Sequence, residues 1–267
     1  MTWSTSTDVR AFLRAAGDFL SAAPVDNTVL LTEAAYLDAR PSAATDQLYG
    51  WWRPRGGGVA GAFLRAPRHP PVLSTMPAEA VESLVDVLSD TKALGVDGRL
   101  VDAVVATWRR AGTDLAERLR ITLHRLGHLR APAPPPGRAR TAAHADRDVL
   151  VTWYDRLMAA NPGDPSELAY VVDDPLGYGG ITLWEVDGRT EAMAGRSRVV
   201  AGMTRLGAVY APHDERYGDA AFVAACATAA NVARDVLVFA RASGAATYTR
   251  LGFTPVLDRV MLGPGTR

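Results

Sequence analysis

Four prolines between residues 132 and 136, in "RAPAPPPGRAR" (130–140), constrain this chain more than any other feature. Proline fixes φ and has no amide hydrogen, so the run is an extended, semi-rigid segment and neither helix nor central strand. In 267 residues, enough for two small domains, it marks a boundary. The predicted organisation is a domain over 1–130, a linker over 131–138 and a second domain over 139–267.

Both sides of the linker begin alike. "TSTDVRAFLRAAGDFLSAAP" and "TAAHADRDVLVTWYDRLMAANP" carry helical apolar spacing after a short polar start and stop at Pro. In the first half, "GWWRPRGGGVAGAFLRAP" reads as two strands around a flexible turn and "PPVLSTM" as a third. Helices follow in "PAEAVESLVDVLSD" and "VDAVVATWRRAG", and "ERLRITLHRLGHL" closes as a strand.

The second half repeats that order. "GGITLWEVDGRTEAMAGRSRV" predicts a hairpin turning at Asp187-Gly188, and "MTRLGAVYAP" is the next strand. A small-residue helix is predicted over 219–234, and "DVLVFAR" is short and apolar enough for a buried strand. A helical turn in "AATYTRLGF" stops at Gly252 before a last strand, "TPVLDRVML". A meander preceding one crossover helix excludes a doubly wound nucleotide fold and predicts α/β layers.

Composition excludes several function classes. The 29 basic and 29 acidic side chains cancel, so nothing favours a nucleic-acid partner. One cysteine, Cys226, rules out an internal disulfide or a cysteine-based zinc cluster, and no metal is expected. His124 and His128 lie four apart, but the strand reading removes the helical geometry a metal pair needs. There is no run of 18 apolar residues and no basic-then-apolar leader; the expectation is a cytoplasmic protein without a membrane partner. The sequence carries no signature of oligomeric state.

"LGAVYAPHDERYGDAAF", "VLVFAR" and "TYTRLGFTPVLDRV" together resemble the GNAT superfamily of acyl-CoA-dependent N-acetyltransferases, over about residues 139–263. The first half is similar more faintly, as in tandem GNAT proteins. The resemblance implies tandem GNAT-like domains with mixed, mostly antiparallel central sheets flanked by helices, the second domain carrying the site. It implies acetyl-CoA or another acyl-CoA as donor and a small-molecule amine as acceptor. Val209 and Tyr210 would pair with the pantetheine arm, and Arg216, Tyr217, Gly218 and Asp219 would border the pyrophosphate at a helix N-terminus. Tyr248, in "YTRLGFTPV" with Arg250, Gly252 and Phe253, would protonate the departing thiolate. Tyr178, in the loop "VDDPLGYGG", would border the acceptor.

The sequence departs from the family's pattern at both cofactor loops. His213 stands at the family's Gln/Arg position and Arg216 at its first Gly, while Asp214, Glu215 and Asp219 add negative charge where phosphates would sit. "ASGAA" replaces a longer loop bearing an Asn. Three readings therefore stay open: an acyl-CoA transferase, a GNAT-like enzyme using the cleft without CoA or with a carrier-bound donor, and a non-catalytic binding protein. For the second, the acid–base groups are His213, Glu215, Glu185 and Tyr248. In "TLWEVDG", strand alternation would turn either Trp184 or Glu185 toward the cleft.

Overall fold

The computed structural model describes residues 2–265. In chain order the first elements are β1 (Thr2–Ser6), α1 (Val9–Ala22), α2 (Thr28–Ala39), β2 (Leu48–Arg53), β3 (Gly61–Arg65), β4 (Val72–Leu73), α3 (Ala78–Val87), β5 (Leu94–Asp97), α4 (Val101–Arg110) and β6 (Leu115–Leu126). They continue with β7 (Arg138–Thr141), α5 (Arg147–Ala160), α6 (Asp174–Gly177), β8 (Ile181–Val186), β9 (Arg189–Arg196), β10 (Met203–Tyr210), α7 (Glu215–Ala230), β11 (Asp235–Ala240), α8 (Ala245–Arg250) and β12 (Phe253–Pro264). The result is the expected α/β architecture with mostly antiparallel pairing.

Contacts divide the chain into two units. One comprises the chain up to Leu123 together with the segment from Val256 onward; the other is His124–Pro255. In the first, β1, β2, β3 and β4 pair antiparallel in turn, and β4 runs parallel to β5 after the α3 crossover. The far end of the chain then adds a strand between β5 and β6: Arg259, Val260, Met261 and Leu262 of β12 pair antiparallel with Asp97, Val96, Gly95 and Leu94. Trp52, Phe63, Leu84, Leu94, Trp108 and Val260 meet in its core. Trp52 is fully buried and Trp51 half-buried, as the pleat of β2 turns neighbours to opposite faces.

The second unit repeats the pattern. β7, β8, β9 and β10 pair antiparallel, α7 crosses over, and β11 returns parallel to β10. Asp187 and Gly188 both take positive φ, 49° and 77°, which gives the predicted hairpin the twist its strands need. The proline-rich stretch lies inside this unit, and Pro136 accepts a hydrogen bond from the Trp184 indole at 3.2 Å.

Strand alternation gives this sheet two apolar faces. Trp184, Ala192, Ala194, Leu206, Val236 and Val238 face α7, whereas Leu183 and Met193 face α5 through Leu150 and Trp153. The α7 face is built from small residues: Ala220, Ala221, Ala225, Cys226 and Ala229 are all buried there. A helix of small residues sits close to its sheet, which fixes its N-terminus against the end of β10.

Candidate functional site

β10 loses one of its two partners halfway along. Its parallel ladder with β11 runs from Met203↔Asp235 to Leu206↔Val238 and goes no further, although the strands continue to Tyr210 and Ala240. Against β9 the register advances by three residues on β10 for two on β9, between Gly207↔Gly195 and Tyr210↔Met193. That is a bulge, and Ala208 takes φ 50° within it. Gly195 opposite makes room, since a Cβ there would lie 3.4 Å from the Ala208 methyl. The β11-facing main chain of Gly207–Tyr210 is thereby released from the ladder, and this stretch includes Val209 and Tyr210, which the resemblance assigns to the pantetheine arm. Val209 packs beside the α7 cluster, whereas the Tyr210 ring lies 6.0 Å from that of Trp153 on the other face.

The helix after this bulge starts earlier than the sequence suggests. α7 begins at Glu215 and not at 219, because the Asp214 carboxylate accepts the Arg216 amide at 3.0 Å and so caps the first turn. Glu215, Arg216, Tyr217 and Gly218 are therefore helical. The Arg216 guanidinium folds back on the same carboxylate, with Nη2 2.7 Å from Oδ2, and these hydrogen bonds hold Asp214 below the usual carboxylate range. Gly218 is buried by contact: an added Cβ would lie 3.3 Å from Ala211 and 3.5 Å from Val209. Its smallness serves helix-to-strand packing. His213 and Glu215 are exposed beside it.

Tyr248 stands on α8, half-buried against the α7 cluster. Its ring meets those of Phe222 at 5.5 Å and Phe253 at 5.9 Å, both edge-on, and that of the buried His124 at 6.2 Å. Burial raises the phenol above its ordinary value, with Cys226 and Asp219 adding to the effect. Asp219, one turn into α7, is raised by desolvation and by Glu215, against an opposing pull from Arg250. The turn after α8 is fixed by Gly252, at φ 96°, whose carbonyl accepts the Gly127 amide at 3.0 Å.

Val209, Tyr217, Gly218 and Tyr248 thus gather around one apolar cluster, in which Trp184 is also buried, and Tyr210 turns from it; Glu185 and Tyr178 lie elsewhere. Trp184 is a core residue, 6% exposed. Glu185 belongs to an ion network, 2.9 Å from Arg138 and 2.7 Å from Arg140, which also grips Asp146 at 2.8 Å. These hydrogen bonds, that of Arg140 first, lower the Glu185 carboxyl. A register shift between the two residues breaks the alternation assumed for them. Tyr178 donates to the Arg196 carbonyl at 2.7 Å, with the Arg198 guanidinium 4.8 Å from its ring; burial raises its phenol.

A polar group on the α5 side was not anticipated. The Arg205 guanidinium, on β10, donates to the Tyr170 hydroxyl at 3.1 Å and lies 5.5 Å from the Phe239 ring on β11. Tyr170 is carried by a π-helical turn, Ala169–Asp173, leading into α6, where the buried Asp174 binds Arg198 at 2.6 Å. π-Helical turns cluster at functional sites, but a π turn has no sequence signature. Among the described residues, no three His, Cys, Asp or Glu side chains converge as a metal site would require, and no helix is long and apolar enough to cross a membrane.

The fold has clear counterparts among solved structures. A GCN5-related N-acetyltransferase from Kribbella flavida is 18% identical, with a TM-score of 0.55 over 78% of this chain and 89% of its own. A GNAT-family acetyltransferase from Colwellia psychrerythraea is 12% identical and matches over 100% of both chains at a TM-score of 0.59. A tandem GNAT protein from the clavulanic acid biosynthesis pathway is 14% identical, with a TM-score of 0.56 over 99% of this chain and 100% of its own. No family profile and no curated protein matches the sequence. The chain has the GNAT fold, and its full-length match to a tandem protein accounts for the repeated order of elements.

Proposed function

We propose that this chain is an acyltransferase, moving an acyl group from a pantetheine-borne thioester to the amine of a small molecule. The observation that carries this reading is the bulge in β10: it frees main-chain groups of Gly207–Tyr210 beside β11, where an extended amide-bearing arm pairs as an added strand does. The second half of the tandem then holds the reacting groups and the first half supports it. Enzymatic activity is inferred from the site, because fold alone does not fix chemistry.

The chemistry asks little of side chains. The amine nitrogen attacks the thioester carbonyl, the C–S bond breaks, and the sulfur leaves as a thiolate that needs a proton. Tyr248 is suited to give it: burial keeps the phenol protonated, and the rings of Phe222 and Phe253 hold it in place. The amine's own proton passes to solvent or to an exposed group at the mouth, of which His213 and Glu215 are the nearest in sequence. Glu185 is already committed to two arginines and is not assigned a role.

Tyr248→Phe tests this assignment, because it removes one hydroxyl and keeps the ring. With S-acetylpantetheine and a panel of small primary amines, thiol release should fall about 10²–10⁴-fold in kcat with KM nearly unchanged. Unchanged turnover would remove Tyr248 from the mechanism.

A further inference from the structure

A donor such as acyl-CoA has two parts to seat, the pantetheine arm and a diphosphate. The main chain freed in β10 fits the first. The N-terminus of α7, which follows it by four residues, is where the second would be received by free amides and the helix dipole. We propose that Asp214 and Arg216 close that helix end to diphosphate, so that the acyl donor is a pantetheine thioester carrying no diphosphate. This rests on the acyltransferase reading and narrows its substrate.

Four observations converge. The Arg216 amide, which an incoming anion would need, is taken by Asp214 Oδ1 at 3.0 Å. Arg216 is the only basic side chain between Ala211 and Phe222 apart from His213, and its guanidinium pairs with the same carboxylate, Nε at 3.1 Å and Nη2 at 2.7 Å. Glu215 and Asp219 add two more negative charges within the first turn and a half, and the one cation set against Asp219 is Arg250. Three carboxylates against two guanidinium groups leave the mouth negative. Finally, Gly218 is wedged against Ala211 and Val209, so the glycine that could have let a phosphate approach the main chain is used for packing.

Transfer from such a donor balances without further reactants: thioester and amine give amide and free thiol. Two sources share this chemistry, a small pantetheine thioester and a phosphopantetheine arm on a carrier protein, whose single phosphate is a diester with the carrier serine.

Calorimetry on the intact chain with S-acetylpantetheine, acetyl-CoA and an acetylated acyl carrier protein tests the proposal. Wild type should bind S-acetylpantetheine and acetyl-CoA within about threefold of each other, and Asp214→Asn, which keeps the capping oxygen, should tighten acetyl-CoA about tenfold and leave S-acetylpantetheine unchanged. Stronger binding of the carrier protein than of S-acetylpantetheine identifies the carrier as source; equal binding identifies the small thioester. Acetyl-CoA binding tenfold tighter than S-acetylpantetheine in wild type overturns the proposal and leaves the acyltransferase reading standing. No binding of any of the three overturns both. Circular dichroism of Asp214→Asn confirms that α7 is intact, and the wild-type comparison stands without the variant.

Discussion

Gly252 ends the helix that carries Tyr248, and replacing it by alanine separates two costs that glycine avoids. The first is conformational: at φ 96° an L side chain is strained by about 1–2 kcal/mol. The second is contact, since the new Cβ would run into the His128 carbonyl, which is main chain and cannot rotate away. Relieving that collision pulls apart the strip in which Gly127 donates to Gly252 and Arg130 donates to Leu251, each at 3.0 Å. Losing both bonds costs about 2 kcal/mol, so Gly252→Ala should destabilise by about 3–4 kcal/mol. Gly188→Ala provides the comparison: its φ is 77°, but an added Cβ meets nothing within 4 Å, so only the conformational cost of about 1–2 kcal/mol applies. With a urea m-value of about 2 kcal/mol/M, the midpoints should fall by about 1.5–2 M and 0.5–1 M respectively. Urea titrations followed by tryptophan fluorescence measure both. Equal shifts would show that the His128 contact carries no weight and that the turn after α8 is looser than its hydrogen bonds indicate.

Two further outcomes follow from charge and burial. Asp146 is lowered chiefly by its hydrogen bonds to Arg140, and Glu185 by those to Arg140 and then Arg138; a depressed carboxyl stabilises the fold above its unfolded value, about 4, and that contribution disappears as pH falls through the folded value. The urea midpoint should therefore drop between about pH 5 and pH 3, and Arg140→Gln should flatten the drop; an unchanged slope would remove this network from the acid response. Cys226 is fully buried and burial pushes its thiol up to about 12, so a thiol reagent at pH 8 should leave the native protein unlabelled and react fully in 6 M guanidinium; rapid native labelling would contradict the packing of α7.

What could be read in the sequence was local. Asp187-Gly188 has the positive φ values a two-residue hairpin needs, and α1 follows its apolar spacing from Asp8, whose side chain caps it, to Ala22. α2, with apolar residues spread round its circumference, and β5, four residues long, were not anticipated, since neither carries a period. α7 starts four residues before the predicted 219, because a cluster of charged residues has the composition of a loop although one of them, Asp214, is the cap. Least legible was the destination of the last strand. Val260 pairs with Val96, more than 160 residues earlier, and nothing within "TPVLDRVML" specifies which strand it joins. The candidate site divides in the same way: Tyr248 and Val209 stand in stretches that carry the GNAT resemblance, whereas Arg205, Tyr170 and Phe239 meet only through the π turn and the pairing of β10 with β11.

The identity of residue 214 bears on the ligand more than on the fold. A helix start needs an oxygen that accepts from the first turn, and Asn, Ser and Asp supply it almost equally well. The added gain from a full negative charge near the helix dipole is about 0.3–1 kcal/mol at an exposed end, and here part of it is offset by the positive charge of the exposed Arg216 guanidinium paired with the same carboxylate. A chain that needed to hold a diphosphate at α7 could therefore carry Asn or Ser at 214 with almost no loss of stability, leaving Arg216 free to reach the ligand. The acidic cap makes the two requirements incompatible, because the atom that starts the helix is itself the anion the helix end would otherwise receive. Stability and donor selection are therefore separable at this position, and Asp214→Asn should change acetyl-CoA affinity while moving the urea midpoint by less than about 0.5 M.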